Sequence, residues 1–464
     1  MAYTKGKPGK WRLLSMELTR KCEEQIRDWL RQDHQKALLV DGARQVGKTH
    51  TIRRVLSSEN QDYVEFNLLQ LPELVPLLQQ ARTVDELVLG FSVFTSHAFI
   101  KKQTIIFIDE VQCDKEMVSR IKFLVDDGSY RFILSGSLLG IEITNLLSAP
   151  VGYLRILKMY PLDFEEFLQT ASVSADLIEY LHNCFLRRET VMASVHDKLM
   201  SLYRQYLAIG GMPEAVSYYA DHYNLNGILQ IHRDITALYK LDFTQYEAEN
   251  KRLILSNIYD SIPSQLLKQN RRFMLSDLKK GLHYERVESS FLWLKAAGVT
   301  LTAYNATEPR LPLKLNEKSS LFKLYLADVG MLTSSYGMST KRQLLTKDSR
   351  FNAGGIYENA VAQELSAKGF RLYYYNSTRI GELDFVVEYG GNVLPIEVKS
   401  GKDYTIHSAL SSVMRNEQYQ IEEAFVFADC NISSSGRIIY YPVYMTMFLE
   451  AEENDPGLLQ KIVL

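Results

Sequence analysis

Gly42, four intervening residues, then Gly47, Lys48 and Thr49: the stretch "DGARQVGKTH" has the spacing G-x-x-x-x-G-K-S/T. A turn of this kind between a strand and a helix aims several backbone N–H groups and the positive helix end at one point, which suits phosphate. Gly42, Ala43, Arg44, Gln45, Val46, Gly47, Lys48, Thr49 and His50 would then line a nucleotide site. Lys48 would reach the β- and γ-phosphates of ATP, and the Thr49 hydroxyl would ligate Mg²⁺. "TIIFIDEVQ" supplies acids at the end of an apolar run. There Asp109 would hold Mg²⁺ through water, and Glu110 would orient and polarise an attacking water. "YRFILSGSLLG" ends a third run in Ser135, Gly136 and Ser137. Ser135 either senses the γ-phosphate or ends a plain strand-to-loop turn; the sequence leaves both readings open. Arg155 is a candidate cation for phosphate, from the same chain or from a neighbouring subunit, and a plain surface arginine is the alternative.

A second set of residues lies near the C-terminus. "IYENAVAQEL" places Glu358 near the start of an amphipathic helix, "GELDFVVEY" carries Glu382 and Asp384, and "LPIEVKSG" carries Glu397 and Lys399. Residues two apart on a strand face the same side, so Glu397 and Lys399 share a face, as do Glu382 and Asp384. Asp384 and Glu397 would bind Mg²⁺ or Mn²⁺ through hard oxygens, with Glu358 completing the site. Lys399 would then orient a water for attack on a phosphodiester while the metal stabilises the developing charge. The bland alternative is a salt-bridged E-x-K pair on a surface strand.

The elements that must position these groups are legible in outline. "ALLV" reads as a buried strand before the glycine-rich turn, and "HTIRRVLSSE" as the helix after it. Acids following "TIIFI" would emerge at the carboxyl edge of a parallel sheet, the usual ligand edge. The spacing predicts a leading helix in "MELTRKCEEQIRDWLRQ" and the nucleotide-binding sheet over residues 13–170, then a mostly helical region over 171–250. Over 251–340, "RFMLSDLKKGLHYERVESSFLWLKAAGVTLTAY" has the outline of a winged helix, with Tyr284–Ala297 as its second helix. Arg286 and Lys295 on that helix are offset by Glu285 and Glu288, which favours a structural or protein contact over DNA reading. "KQNRR" (Lys268–Arg272) is the better candidate for a phosphate contact. Residues 341–464 form the last domain.

Composition limits the classes. The 464 residues carry a net charge of −2, so only a local basic patch could favour nucleic acid. No apolar run approaches a membrane span. The basic N-terminal "MAYTKGKPGKWR" has no apolar signal segment and reads as a lead-in. Four scattered cysteines form no CxxC pair, so a reducing, cytoplasmic compartment is expected.

Taken in order, "LLVDGARQVGKT", "IIFIDEVQ", "FILSGS" and "YPLDFEEFL" resemble a prokaryotic family of AAA-type P-loop ATPases. "GGMPEAV", "KLYLADVGML" and "GGIYENAVAQEL" extend the resemblance over nearly the whole chain. In that family a C-terminal domain of unknown function includes a nuclease-like fold, and Glu358, Asp384 and Glu397-x-Lys399 here are similar to the PD-(D/E)xK pattern. The resemblance implies an α/β chain: an AAA-type ATPase domain, a helical and winged-helix-like middle, and a C-terminal restriction-endonuclease-like α/β domain. It also implies an added strand between the phosphate-loop strand and the Asp-Glu strand, and a homo-oligomer. Two functions remain open. One is an ATP-driven machine acting on DNA, with the C-terminal site cutting or clamping it. The other is a nucleotide-dependent switch or scaffold with protein partners, in which the nuclease-like fold is a catalytically inactive contact surface.

Overall fold

The computed structural model describes residues 18–32, 36–137, 152–246, 249–347 and 352–451; the basic lead-in lies outside them. The chain forms two compact units. The first runs to Leu162 and adds Met212–Glu214 and Ser289–Val299.

Its sheet has five strands: β1 (Ala37–Asp41), β2 (Tyr63–Asn67), β3 (Ile105–Asp109), β4 (Arg131–Gly136) and β5 (Leu154–Lys158). They lie in the order β2-β3-β4-β1-β5, all parallel. β4 therefore separates the strand before the glycine-rich turn from the strand of Asp109, as the resemblance implies. β1 and β3 are buried along their whole length, which is why both read as continuous apolar runs rather than as alternation. Ile106, Ile108, Phe132 and Leu134 pack with Phe66 and Phe91, whose rings stack at 4.7 Å. Each such side chain contributes about 1.5–3 kcal/mol on burial. Register brings Asp41 opposite both Gly136 and Lys158, and Asp109 opposite Asn67, so the polar strand ends gather at one edge. The helix Lys48–Ser58 starts directly from the turn after β1.

The second unit opens at Asp163 and holds the helices Ala175–Arg187, Ala193–Ile209, Leu225–Tyr246 and Glu249–Leu266. Its sheet has eight strands: β6 (Thr300–Ala306), β7 (Glu317–Leu326), β8 (Tyr373–Ser377), β9 (Gly381–Tyr389), β10 (Asn392–Lys399), β11 (Ala424–Ala428), β12 (Ser433–Ser435) and β13 (Ile438–Pro442). The order is β12-β13-β11-β10-β9-β8-β6-β7. In the region expected as a winged helix, the second helix is Glu288–Ala296, after a 3-10 turn at Tyr284–Arg286, and all of it but Glu288 belongs to the first unit. The hairpin that follows it, β6 and β7, does not stand alone as a wing: β6 pairs in parallel with β8, so one sheet crosses residue 340. From helix Gly354–Ala367 the elements run helix, β8, β9, β10, helix Ser408–Arg415, β11. Gly354–Ser366 is buried throughout, so its polar side chains need partners inside the protein. Asn359 exchanges hydrogen bonds with the Leu326 backbone at 2.9 and 3.0 Å. Gln363 accepts from Val329 N at 2.9 Å, and Glu364 from Phe164 N at 2.6 Å.

Candidate active site

In the first unit the glycine-rich turn ends at Gly47, whose φ of 94° is open to glycine but strained for other residues. That turn starts the helix at Lys48 with its first N–H groups free to face an anion. Lys48 is buried, and its Nζ donates to the carbonyls of Gly42 and Ala43 at 2.8 and 2.9 Å. Among the described residues it forms no ion pair. Burial pushes its ammonium down to about 8, against the pull of Glu110, Asp41 and Asp109. A buried cation held only by carbonyls fits an incoming phosphate.

Asp109, at the end of β3, is fixed by three neutral donors. Its Oδ2 accepts from Thr49 Oγ1 at 2.9 Å and from Asn67 Nδ2 at 3.0 Å, and its Oδ1 accepts from Ser135 Oγ. Thr49 and Asp109 are thus in contact, as a shared cation between a phosphate loop and a neighbouring strand requires. Ser135 is turned to Asp109, whereas Ser137 faces Gln112, whose Nε2 lies 3.3 Å from Ser137 Oγ and also donates to Glu110. Glu110 itself has φ 55° and ψ 42°. This left-handed conformation is uncommon for a non-glycine residue and gathers at functional sites. Arg20 ties the loop down, donating to Val46 O at 2.8 Å and to Tyr160 O at 2.7 Å. His50 is exposed on the helix. Arg155 pairs with Leu38, three residues short of Asp41, which places it about 10 Å back from the ligand edge in its own chain. Lys158 occupies the edge position instead, opposite Asp41.

In the second unit, Glu358, Glu382 and Asp384 converge, but on protein cations. Lys323 Nζ lies 2.9 Å from Glu358 Oε1 and 2.7 Å from Glu382 Oε1. Arg271 pairs with Glu358 Oε2 and lies 3.6 Å from Asp384 Oδ1. Tyr325 Oη donates to Glu358 Oε1, and Val398 N donates to Asp384 Oδ2 at 2.9 Å. Burial works against charge on Asp384, yet Lys323 and Arg271 beside it hold its carboxyl below the ordinary range. Glu397 is pushed the other way, by burial and by the adjacent Asp384, despite Lys399 at 3.2 Å from its Oε2. The second Mg²⁺ or Mn²⁺ expected on Glu358, Asp384 and Glu397 does not fit these partners. Both oxygens of Glu358 already meet a protein cation, and Asp384 Oδ1 has Arg271 at 3.6 Å and Lys323 at 3.8 Å. Among the described residues no group of three or more His, Cys, Asp or Glu is placed to hold a metal. The "KQNRR" cluster is also engaged: Lys268 pairs with Asp277, and Arg271 turns into the acidic centre.

Comparison with known proteins agrees with the first geometry. Residues 34–168 match the family model of an AAA domain. The first unit carries an AAA-type P-loop ATPase domain. Residues 200–342 match a domain of unknown function (DUF8612), and residues 353–444 match another (DUF4143). Among solved structures, a Walker-type ATPase of Pyrococcus abyssi is similar at 14% identity and TM-score 0.40, over 69% of this chain and 96% of that one. A Holliday junction branch migration motor of Thermotoga maritima follows at 14% identity and TM-score 0.28, over 64% and 91%. Cdc6p from Pyrobaculum aerophilum is similar at 11% identity and TM-score 0.25, over 71% and 94%. No curated protein matches the chain.

Around the AAA-domain site, the structure adds Asn67, Gln112 and Arg20, which sequence reasoning missed. Asn67 could have been found: it ends β2 in the same way that Asp109 ends β3. Gln112 lies two residues from Glu110, but its link to Ser137 comes from the neighbouring strand, and Arg20 reaches the loop from a distant segment. No helix among the described residues is long and apolar enough to cross a membrane.

Proposed function

We propose that this chain is an ATP-hydrolysing switch, in which nucleotide occupancy of the AAA domain governs assembly and the C-terminal nuclease-like fold serves as a contact surface. The contact of Thr49 with Asp109 beside the buried, ion-pair-free Lys48 carries the ATPase part of this reading. Lys48 would hold the β- and γ-phosphates, and Thr49 and Asp109 would hold Mg²⁺. Bound Mg²⁺ supplies charge neutralisation on the transferring phosphoryl group. Glu110 accepts a proton from, and orients, the attacking water. Ser135 acts on the metal-side carboxylate, and Ser137 is the better placed residue to report the γ-phosphate through Gln112. Arg155 is available for phosphate only from a neighbouring subunit of a homo-oligomer.

The contact-surface part rests on the Lys323 and Arg271 ion pairs at the carboxylates. A second reading, in which the chain acts on DNA, draws support from the helix-β-β-β-helix-β order after Gly354, the order of nuclease-like cores. ATP hydrolysis with and without single- and double-stranded DNA separates the two. A switch hydrolyses ATP at a rate that DNA leaves unchanged, and no metal-dependent cleavage accompanies it. A several-fold rise with DNA, or cleavage lost in Glu397→Gln, overturns the switch reading.

A further inference from the structure

The acidic cluster of the second unit poses a physical question: what holds carboxylates together where water cannot reach them? Glu358 and Lys323 both lack exposed surface. Each charge therefore needs an opposite charge in direct contact, since an unpaired buried ion is strongly destabilising. Lys323 Nζ meets that need from both sides, at 2.9 Å from Glu358 Oε1, 2.7 Å from Glu382 Oε1 and 3.8 Å from Asp384 Oδ1. One ammonium sits at the junction of carboxylates from a helix and from β9, the place that a hard cation takes in an open acidic site. Arg271 closes the opposite flank on Glu358 Oε2, with Asp384 Oδ1 at 3.6 Å.

Room for that guanidinium is built into the backbone. A Cβ on Gly354 would stand 2.4 Å from Arg271 Nη2, so a larger residue there would push the end of the Arg271 side chain aside. Tyr325, from the same strand as Lys323, spends its hydroxyl on Glu358 Oε1. The remaining oxygen of Asp384 is taken by Val398 N. Both oxygens of Glu358 are taken by groups of the chain itself, and Asp384 Oδ1 faces two of its cations.

We propose that Lys323 and Arg271 are built-in cations that take the place of a divalent metal, making this centre an ion-paired core rather than a metal-dependent cutting site. The proposal deepens the contact-surface reading above. It fails separately from that reading, because a metal response needs neither ATP nor DNA.

The test is thermal unfolding of the full-length, nucleotide-free protein with and without millimolar MnCl₂. Wild type and Asp384→Asn should show the same Mn²⁺ response, because Lys323 and Arg271 already stand where a metal would sit beside Asp384. Lys323→Ala should lower Tm by roughly 5–15 °C, as it strands buried carboxylates. Mn²⁺ should then recover part of that loss, because it binds the folded state only. Should Lys323→Ala fail to fold, Arg271→Gln at the partly exposed flank keeps Lys323 and should gain a smaller Mn²⁺ response. A Mn²⁺ stabilisation present in wild type and absent in Asp384→Asn overturns the proposal. So does a folded Lys323→Ala or Arg271→Gln protein that Mn²⁺ leaves unmoved.

Discussion

The two acidic centres of this chain treat their carboxylates in opposite ways. Asp109 is held by a threonine hydroxyl, an asparagine amide and a serine hydroxyl, all neutral. Glu358 is held by an ammonium and a guanidinium. Neutral donors fix a carboxylate's position and leave its charge for a ligand. Ion pairs fix the position and use up the charge. Their cations differ in the same sense: Lys48 is buried on carbonyls, and Lys323 is buried on carboxylates. A site prepared for a metal and a polyanion leaves both signs of charge unsatisfied; of these two centres, the one in the AAA domain does so.

The largest test of this contrast removes the unsatisfied cation. Lys48→Ala should reduce binding of a fluorescent ATP analogue to background and cut hydrolysis by at least about 10²-fold. Its Tm should not fall, since no ion pair is broken; wild-type turnover in this variant would break the comparison. Glu110→Gln keeps the shape and the neutral donors but removes the base. Hydrolysis should drop about 10²- to 10⁴-fold with ATP affinity retained, measured by single-turnover assay beside equilibrium binding. The smallest effect is on pH. Without nucleotide the Lys48 ammonium loses its proton near pH 8 because burial depresses it. A polyanion beside it favours the charged form, so binding takes up a proton. ATP affinity should therefore hold below pH 8 and weaken above it, approaching about tenfold per pH unit. A flat Kd from pH 7 to 9 would show that Lys48 is not the phosphate's partner.

Much of the first centre was legible because its residues are contiguous or end apolar runs. The glycine spacing, Lys48 and Thr49 are one stretch, and Asp109 and Glu110 are marked by the strand before them. Arg155 stayed open as a cation of the same chain, a cation of a neighbouring subunit or a surface arginine because sequence gives no register; pairing with Leu38 rather than Asp41 sets it back along β5. In the second centre the carboxylates were found by order and alternation. Their cations were not, because Arg271 and Lys323 precede Glu358 by 87 and 35 residues, and nothing local ties them to it. Residue 340 was a reasonable boundary by pattern, but a hairpin expected as a wing pairs into the next sheet by hydrogen bonds that carry no compositional signal.

That hairpin sets a limit on how the chain can be divided. A fragment starting at residue 341 would keep the helix of Glu358 and the strands β8 to β13 yet lose β6, β7 and with them Lys323. The edge of β8 that pairs with β6 would then present open backbone groups to any other strand, and Glu358 would face the interior without its ammonium. Cloned on its own, the C-terminal segment should therefore be poorly soluble, and a fragment that keeps the preceding hairpin should not.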